Sequence, residues 1–441
     1  MKNTELPATQ PTPLWPVIAG LAFVCLGWIS TQLDDPSTRA SYVWVASAVS
    51  ISALYLAPFS RWPVYLIVLA AGSVTLNLIA QEPLFALVAF TANELISAAA
   101  AAWLLKRTIS GGRLDTVKRV LAFVFIGAFG GAVMSSFGGA GFISAVENRE
   151  FWTEWRVWLV ANCVGTLVVA PFIIEWAGFR ARRSGGMTRA GFATGAALFL
   201  LLVASSLFVF DTRTLERFSG TVGLALTYLP LPFLVLAAIA WGSRGGTLAM
   251  LTLAAIAIVN THQGEGPFAA QDATVGESVF EAQLYVAAAA LMTLLMAALR
   301  ASQERALKES ADWRARYEMA ITANHNVMFE LEPRSHALAW GGDPRAVVGI
   351  DRGALTSLDQ LLARAHNEDR ERLHLAFDAL VAGATTAASL VFRAIGDDGR
   401  TRFLEISAGT VVDFDDEIHR VTGLVREAPP SRHGDDTAAF A

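Results

Sequence analysis

The sequence predicts a polytopic α-helical membrane bundle of eight to ten transmembrane helices followed by a small α+β domain, and three observations carry that prediction. Of 441 residues, 54% are hydrophobic and only 17% charged, and the mean hydropathy is +0.45, whereas soluble domains run near 25% charged. The charge is also unevenly shared: about 11% of residues 1–299 are Asp, Glu, Lys or Arg, against about 28% of residues 300–441. Finally, ten apolar stretches reach or approach the roughly 17 to 20 residues that a helix needs to cross a hydrocarbon core of about 30 Å.

Those stretches are 14–33, 41–57, 62–80, 84–105, 120–139, 157–176, 191–210, 222–241, 246–260 and 283–299. The second and ninth are short, and read as tilted, re-entrant or paired with a neighbour as a helical hairpin. Residues 1–13 form a lead with Lys2, Pro7, Pro11 and Pro13. The first stretch, lacking a small-residue cleavage site before Asp34, reads as a retained anchor rather than a signal peptide. Cationic side chains resist translocation. With ten crossings and the N-terminus inside, 12 Lys and Arg fall in inside connections and 5 in outside ones, and Thr261 to Ala282 contains neither. This predicts an inner-membrane chain with both termini cytoplasmic and an even number of crossings. Trp62, Trp103, Trp155, Trp158, Trp176 and Trp241 near the segment ends fit interfacial positions.

A net charge of −5 without a Lys/Arg block excludes the electrostatic footprint of a nucleic-acid binder. Cys25 and Cys163, both in apolar stretches, exclude a disulfide scaffold, a thiolate zinc cluster and a CxxC redox pair.

Residues 300–320 continue the last stretch as a linker helix, with good helix formers and no Gly or Pro. Ala306, Trp313, Tyr317 and Ala320 form a partial coiled-coil seam interrupted at Gln303 and Ser310; a dimer helix and a solvated linker both fit it. The domain over 321–428 follows with strands at Val327 to Leu331 and His336 to Trp340. Helices are expected near Ser357 to Ala365 and Glu368 to Val381, then strands at Ala388 to Ile395, Arg400 to Thr410 and Ile418 to Arg426. Asp397-Asp398-Gly399 signals a hairpin turn, because these residues tolerate positive φ, and Asp413, Asp415 and Asp416 mark the next turn. Two strands, helices, then three strands predict an antiparallel sheet with helices on one side. Residues 429–441, polar and small, read as a disordered tail.

His366-Asn367-Glu368-Asp369-Arg370 resembles the His-Pro-Glu-Asp-Arg sequence that precedes a later helix of PAS domains, with Asn in place of Pro. Val327-Met328-Phe329-Glu330-Leu331 resembles their first strand, and Asp397-Asp398-Gly399-Arg400 a late turn. The resemblance spans about 313–428 and implies a sensor or dimerisation module. The membrane portion is similar to the bacterial membrane-associated sensor (MASE) domains found in front of sensor kinases and diguanylate cyclases. The similarity runs over roughly 14–299 through Val43-Trp44, Ala46-Ser47, Arg61-Trp62-Pro63, Asn77, Asn93-Glu94, Trp158 to Asn162, Gly165 and Pro171, with departures at Val45, Ala48 and Asn162.

Polar groups in lipid cost about 2.5 to 3.5 kcal/mol for a carboxylate at a helix centre, which makes them functional candidates. Glu94, with Asn93 beside it, is the sharpest. Asn77, Asn162 and Glu175 are its companions if these helices pack together, forming a polar pocket for a ligand, ion or proton. The bland alternative is interhelical hydrogen bonding, worth about 0.6 kcal/mol on average, and for Glu175 a reach to interfacial water. Gly138-Gly139 with Gly141, and Gly245-Gly246, lack the strand, Lys and helix of a phosphate loop and read as turns or tight packing. Gly341-Gly342-Asp343 starts like a diguanylate-cyclase signature, but Pro344-Arg345 breaks it.

No catalytic residue and no metal site is expected. His325, His366 and His374 have no catalytic partners. His325 or His336 could ligate haem, a single-histidine argument that names no cofactor, and the absence of Cys from this domain excludes a cysteinyl flavin adduct. The expectation is a sensor that detects a stimulus in its bundle and relays it to a separate output protein, a histidine kinase or a diguanylate cyclase, with homodimer or heterodimer contacts through the linker helix and the PAS-like domain. Two rivals remain: a transporter with a PAS regulatory domain, which an inverted repeat or paired broken helices would favour, and a sensor remnant that lost its output domain.

Overall fold

The computed structural model describes residues 14–34, 41–109, 112–177, 188–211, 225–269, 277–323, 326–412 and 418–428. It has two compact units, Met1–Arg305 and Ala306–Ala441. The lead before residue 14, the Asp413 turn, His325 and the tail from 429 lie outside the described residues.

Among the described residues, the named elements of the first unit are all helices. Its elements are α1 (Trp15–Gln32), α2 (Ala46–Leu56), α3 (Trp62–Ile79), α4 (Leu84–Thr108), α5 (Val117–Ala122), α6 (Gly131–Glu147), α7 (Phe151–Trp176), α8 (Arg189–Val209), α9 (Pro230–His262) and α10 (Glu277–Ala323). A π-helical stretch, Phe123–Gly130, joins α5 to α6, so the fifth apolar stretch is one long rod. Eight helices among the described residues are long and apolar enough to cross a membrane. Val17, Leu21, Ile67, Leu78, Phe85 and Leu200 are exposed on the outside of the bundle, where lipid would cover them.

Two crossings depart from a simple rod. Helix α2 has 11 residues and would rise only about 16 Å. The chain before it is not helical: Trp44 N donates to Ala161 O (3.1 Å), and Val45 N to Ser30 Oγ (3.1 Å). A non-helical segment, 43–45, therefore precedes α2, which begins inside the bundle beside Ala161 of α7 and Ser30 of α1. Gly165 of α7 permits this approach, because a Cβ there would sit 2.2 Å from Trp44 O. The small side chains of Ala46, Ser47, Ala48, Ser50 and Ser52, all buried, let neighbouring backbones close in. At its far end, Lys106 Nζ donates to Ala57 O and lies 4.8 Å from the Phe59 ring centroid.

Helix α9 is the second departure. Gly242 has φ 69° and ψ −162°, a conformation that favours glycine. A Cβ on Gly246 would lie 2.9 Å from Ala238 Cβ, although residues eight apart in a straight helix are about 12 Å apart. The chain thus folds back on itself at Gly242, so the eighth and ninth apolar stretches form a helical hairpin. Trp241 Nε1 donates to Phe192 O and Trp176 Nε1 to Arg244 O, which fixes the fold-back against α8 and α7.

The second unit carries strands β1 (Asn326–Leu331), β2 (Leu338–Gly341), β3 (Ala387–Ile395), β4 (Thr401–Val412) and β5 (Ile418–Glu427), with α11 (Pro344–Val347), α12 (Leu358–Arg364) and α13 (Asn367–Val381) between β2 and β3. The sheet order is β2-β1-β5-β4-β3, and every adjacent pair is antiparallel. One face buries Val327, Phe329, Phe392, Leu404, Ile406 and Val425 against Leu361, Leu373 and Phe377. This is a PAS-like architecture. The Asp-Gly turn is present, with Gly399 at φ 73° and Asp398 Oδ1 accepting from Arg400 N (3.1 Å).

The His366 to Arg370 sequence has a structural task. Asp369 accepts from Arg393 N (2.9 Å) and Arg393 Nε (2.8 Å), and Arg370 Nε donates to Leu362 O (2.9 Å) at the end of α12. The Arg393 guanidinium holds the Asp369 carboxyl below its ordinary value. Gly341-Gly342-Asp343 forms the turn from β2 into α11: Gly342 has φ 92° and Asp343 accepts from Arg345 N (3.0 Å). His336 is exposed at φ 54° in the β1–β2 turn, away from the packed interior, so the haem reading has no support at that residue. His374 pairs with Asp378 (2.9 Å).

Candidate functional site

The bundle holds a cavity of about 780 Å³, within the range of small-molecule sites. It opens at the end that carries Asp34, Ser41 and Arg149, and its floor reaches Glu94. Glu94 is the eleventh residue of α4, about 15 Å along the helix from its first turn.

At the floor, Ser47 Oγ lies 2.8 Å from Glu94 Oε2 and 2.8 Å from Asn162 Oδ1. Ser47 stands in the first turn of α2, so the mid-bundle start of that helix faces the carboxyl group. Asn162 Nδ2 donates to Trp158 O (2.9 Å), which fixes the amide with its oxygen toward Ser47, since the flipped amide would set two acceptors together. One hydroxyl proton is therefore shared between two acceptor oxygens. The other carboxyl oxygen, Glu94 Oε1, is buried and has no hydrogen-bond partner, an arrangement that costs free energy unless a ligand, water or proton completes it.

Asn93, on the same helix, donates to Ser135 O (2.9 Å). The Gly138-Gly139 pair of α6 seats the cavity wall: a Cβ at Gly138 would lie 2.0 Å from Asn93 Oδ1, and one at Gly139 2.1 Å from Trp158. The Trp158 ring packs 5.8 Å from Phe90. Asn77 lines the cavity two residues from the end of α3 and bonds within its own helix, to Ser73 O (2.8 Å).

Around the mouth, Arg149 pairs with Glu154 (2.8 Å) and Glu147 (3.7 Å), and Asp34 accepts from Ser41 Oγ (2.5 Å). Burial pushes the Asp34 carboxyl up, partly opposed by that hydrogen bond and by His262. Helix α10 closes one side with Val279, Phe280 and Gln283. Gln283 Nε2 donates to Ser41 O and Tyr42 O, both at 3.1 Å, which ties α10 to the non-helical segment that leads into Ser47.

The structure thus brings Asn77, Asn93, Glu94 and Asn162 to one cavity and sets Glu175 apart. Glu175 is thirteen residues beyond Asn162 on α7, about 20 Å along the helix. There it pairs with Arg113 (2.7 Å) and accepts from Leu114 N (2.9 Å), while its backbone oxygen accepts from Arg244 Nε (3.0 Å). Apolar patterning places both residues on one helix but not at one depth, which is why the grouping failed. Beside it, Asp115 pairs with Arg119 (2.7 Å) and with Arg305 of α10. Sequence reasoning missed Ser47, Gln283 and the Arg149 cluster as site residues. A serine in a small-residue helix and a glutamine near a helix start carry no local signal of a partner on another helix.

Residues 15–304 match the MASE1 family. No curated protein matches the chain. Among solved structures, the chain is similar to the N-terminal domain of a diguanylate cyclase with PAS/PAC sensor from Marinobacter aquaeolei, at 19% identity and TM-score 0.22, covering 23% of this chain and 94% of that one. It is also similar to a domain of a putative light and redox sensing histidine kinase from Haloarcula marismortui, at 18% identity and TM-score 0.22, covering 26% and 99%. A sensory box histidine kinase/response regulator from Burkholderia thailandensis matches at 17% identity and TM-score 0.22, covering 26% and 84%.

Proposed function

The chain belongs to the MASE1 family of membrane sensor domains, and on that premise we propose that it is a bacterial inner-membrane signal-transduction sensor. It detects a ligand in the Glu94 cavity and relays occupancy through α10 and the PAS-like domain to a separate output protein. The observation that carries this reading is the path of α10. The helix lines the cavity at Val279, Phe280 and Gln283 and continues unbroken to Ala323, so the element that touches a ligand is the element that leaves the bundle. Where it leaves, Arg305 grips Asp115, and the neighbouring Arg113 grips Glu175. The 112–116 connection is therefore clamped to α7 and α10 together. A ligand that binds one packing of these helices better than another shifts the population toward it, and α10 carries the shift onward.

Charge supports the orientation. Arg61, Lys106, Arg107, Arg113, Lys118, Arg119 and Arg244 stand in connections or helix ends away from the cavity mouth, where Arg149 and Arg156 stand. By the positive-inside rule the mouth faces outward and the PAS-like domain is cytoplasmic. The domain reading is a lead over 1–13, a sensor bundle over 14–299, a linker helix over 300–320, a PAS-like domain over 321–428 and a tail. The chain acts without catalysis of its own, and pairs as a homodimer or heterodimer through the linker helix and PAS-like domain.

The test is a crosslinking pull-down of the full-length chain from its native membrane, beside Glu94→Gln and Arg305→Ala variants. Recovery of a kinase or cyclase whose activity follows the wild-type chain but ignores the stimulus in both variants is the expected result. The half-length α2, with its first turn at a mid-bundle carboxyl group, favours a second reading, since transporters place discontinuous helices at their substrate sites. Solute uptake by the purified chain in liposomes, with no signalling protein recovered, would sink the sensor reading and establish the second.

A further inference from the structure

We propose that the Glu94 cavity binds a small organic cation, a molecule bearing an ammonium group. The inference rests on the sensor reading and deepens it by naming the ligand class.

The first argument is the donor deficit at the floor. Glu94 is 8% exposed. In its ionised form Oε2 shares the Ser47 hydroxyl with Asn162 Oδ1, and Oε1 has no hydrogen-bond partner. What is missing is a hydrogen-bond donor. An ammonium carries three N–H donors and the positive charge that matches the carboxylate.

The second argument is the electrostatics of the whole cavity. Its lining includes the carboxyl groups of Asp34, Glu82, Glu94, Glu147 and Glu154 against the guanidinium groups of Arg149 and Arg156. Arg149 is already paired with two of those carboxylates. An anionic ligand would meet like charge at the mouth and again at the floor. The start of α2, which would attract an anion, already has one in Glu94.

The third argument concerns shape. Trp44, Phe90 and Trp158 line the cavity, and aromatic faces attract organic cations. A volume of about 780 Å³ suits a molecule with a carbon skeleton, whereas a single metal ion would leave most of it empty.

The experiment uses the full-length chain in lipid nanodiscs and three probes of one skeleton: phenethylammonium, the uncharged 2-phenylethanol, and the anion phenylacetate. Ethanolammonium and sodium ion are further arms. Binding is read by thermal stabilisation and by tryptophan fluorescence. The ammonium probes should stabilise the wild-type chain and the alcohol and the anion should not. Glu94→Gln, which keeps the Ser47 hydrogen bond and the side-chain volume, should weaken ammonium binding by at least about tenfold, as loss of a buried charge partner does. The comparison among probes on the wild-type chain stands even if the variant fails to fold.

The proposal is overturned if phenylacetate binds as tightly as the ammonium, if Glu94→Gln binds the ammonium unchanged, if sodium alone binds, or if no ammonium probe binds. In the first and third outcomes the cavity is still a ligand site, so the ligand class fails while the sensor reading stands. Failure of the sensor reading is seen separately, in the pull-down.

Discussion

Two buried carboxylates, Asp369 of the PAS-like unit and Glu94 of the bundle, are treated in opposite ways. In the PAS-like unit Asp369 is saturated: Arg393 supplies a backbone N–H and a guanidinium to it, and the pair ties the start of α13 to β3. In the bundle Glu94 shares one hydroxyl with Asn162 through Oε2 and is left with Oε1 unpartnered. The first arrangement maximises stability. The second stores an unmet interaction at a place a ligand can reach, and buried polar groups that lack partners are where function concentrates.

The packing differs in the same sense. The PAS-like core closes with large side chains, Phe329 against Trp340 at 5.8 Å and against Phe377 at 5.7 Å. Where α2 meets α7 the bundle instead closes on small residues, Ala46, Ser47, Ala48 and Gly165, so these backbones lie near one another and tolerate little added volume. The largest expected effect follows from that contrast. Gly165→Val drives a side chain into Trp44 O, 2.2 Å from the new Cβ position, and should cost about 3 kcal/mol or more, read as lost thermal stability of the detergent-purified chain. A full yield of stable protein would break the comparison, because it would mean that the non-helical 43–45 segment is not wedged against α7.

The next effect belongs to the other unit. Asp369→Ala removes the acceptor of Arg393 N and Nε, leaving Glu368 as the guanidinium's remaining carboxylate, and should destabilise the PAS-like unit by about 2 kcal/mol, with the bundle unaffected, as denaturant unfolding followed separately in each unit would report. The pH dependence sharpens the point. A carboxyl held below its ordinary value of 3.8 gives stability that is present above that value and lost as pH falls through the lower, folded one. The wild-type unit should therefore weaken below about pH 4, and Asp369→Asn should flatten that part of the profile. An unchanged profile would mean that Asp369 is not the group responsible.

The smallest effect on stability is expected at the exit of α10. Arg305→Ala removes a partly exposed ion pair and should cost at most about 1 kcal/mol, yet it should abolish the response of the output partner. If response survives, α10 is not read through Asp115.

Much of this was legible in the sequence. Apolar length marked the crossing stretches, and period-two patterning with an Asp-Gly turn marked five strands whose observed ends fall within two residues of the expected ones. The grouping of Asn77, Asn93, Glu94 and Asn162 was legible because polar residues in apolar helices must face one another or a cavity. Glu175 defeated the same argument, since composition gives a helix and a face but not the depth at which two helices meet. Stretch 41–57 reads in the sequence as one short apolar segment, tilted, re-entrant or paired with a neighbour. The structure leaves it non-helical before α2 because Ala161 O and Ser30 Oγ satisfy the Trp44 and Val45 N–H groups, partners 15 residues or more away in sequence.

By itself, then, the sequence determined what local chemistry decides: which segments lipid would accept, which would alternate as strands, and where turns must fall. Tertiary structure alone decided the fold-back at Gly242, the mid-bundle start of α2, and the convergence of Ser47, Glu94 and Asn162 from three helices. The physical reason is that hydrophobicity and backbone propensity act within a few residues, whereas a hydrogen bond across 115 positions, such as Ser47 to Asn162, exists only once the packing of whole helices has chosen their depth and rotation.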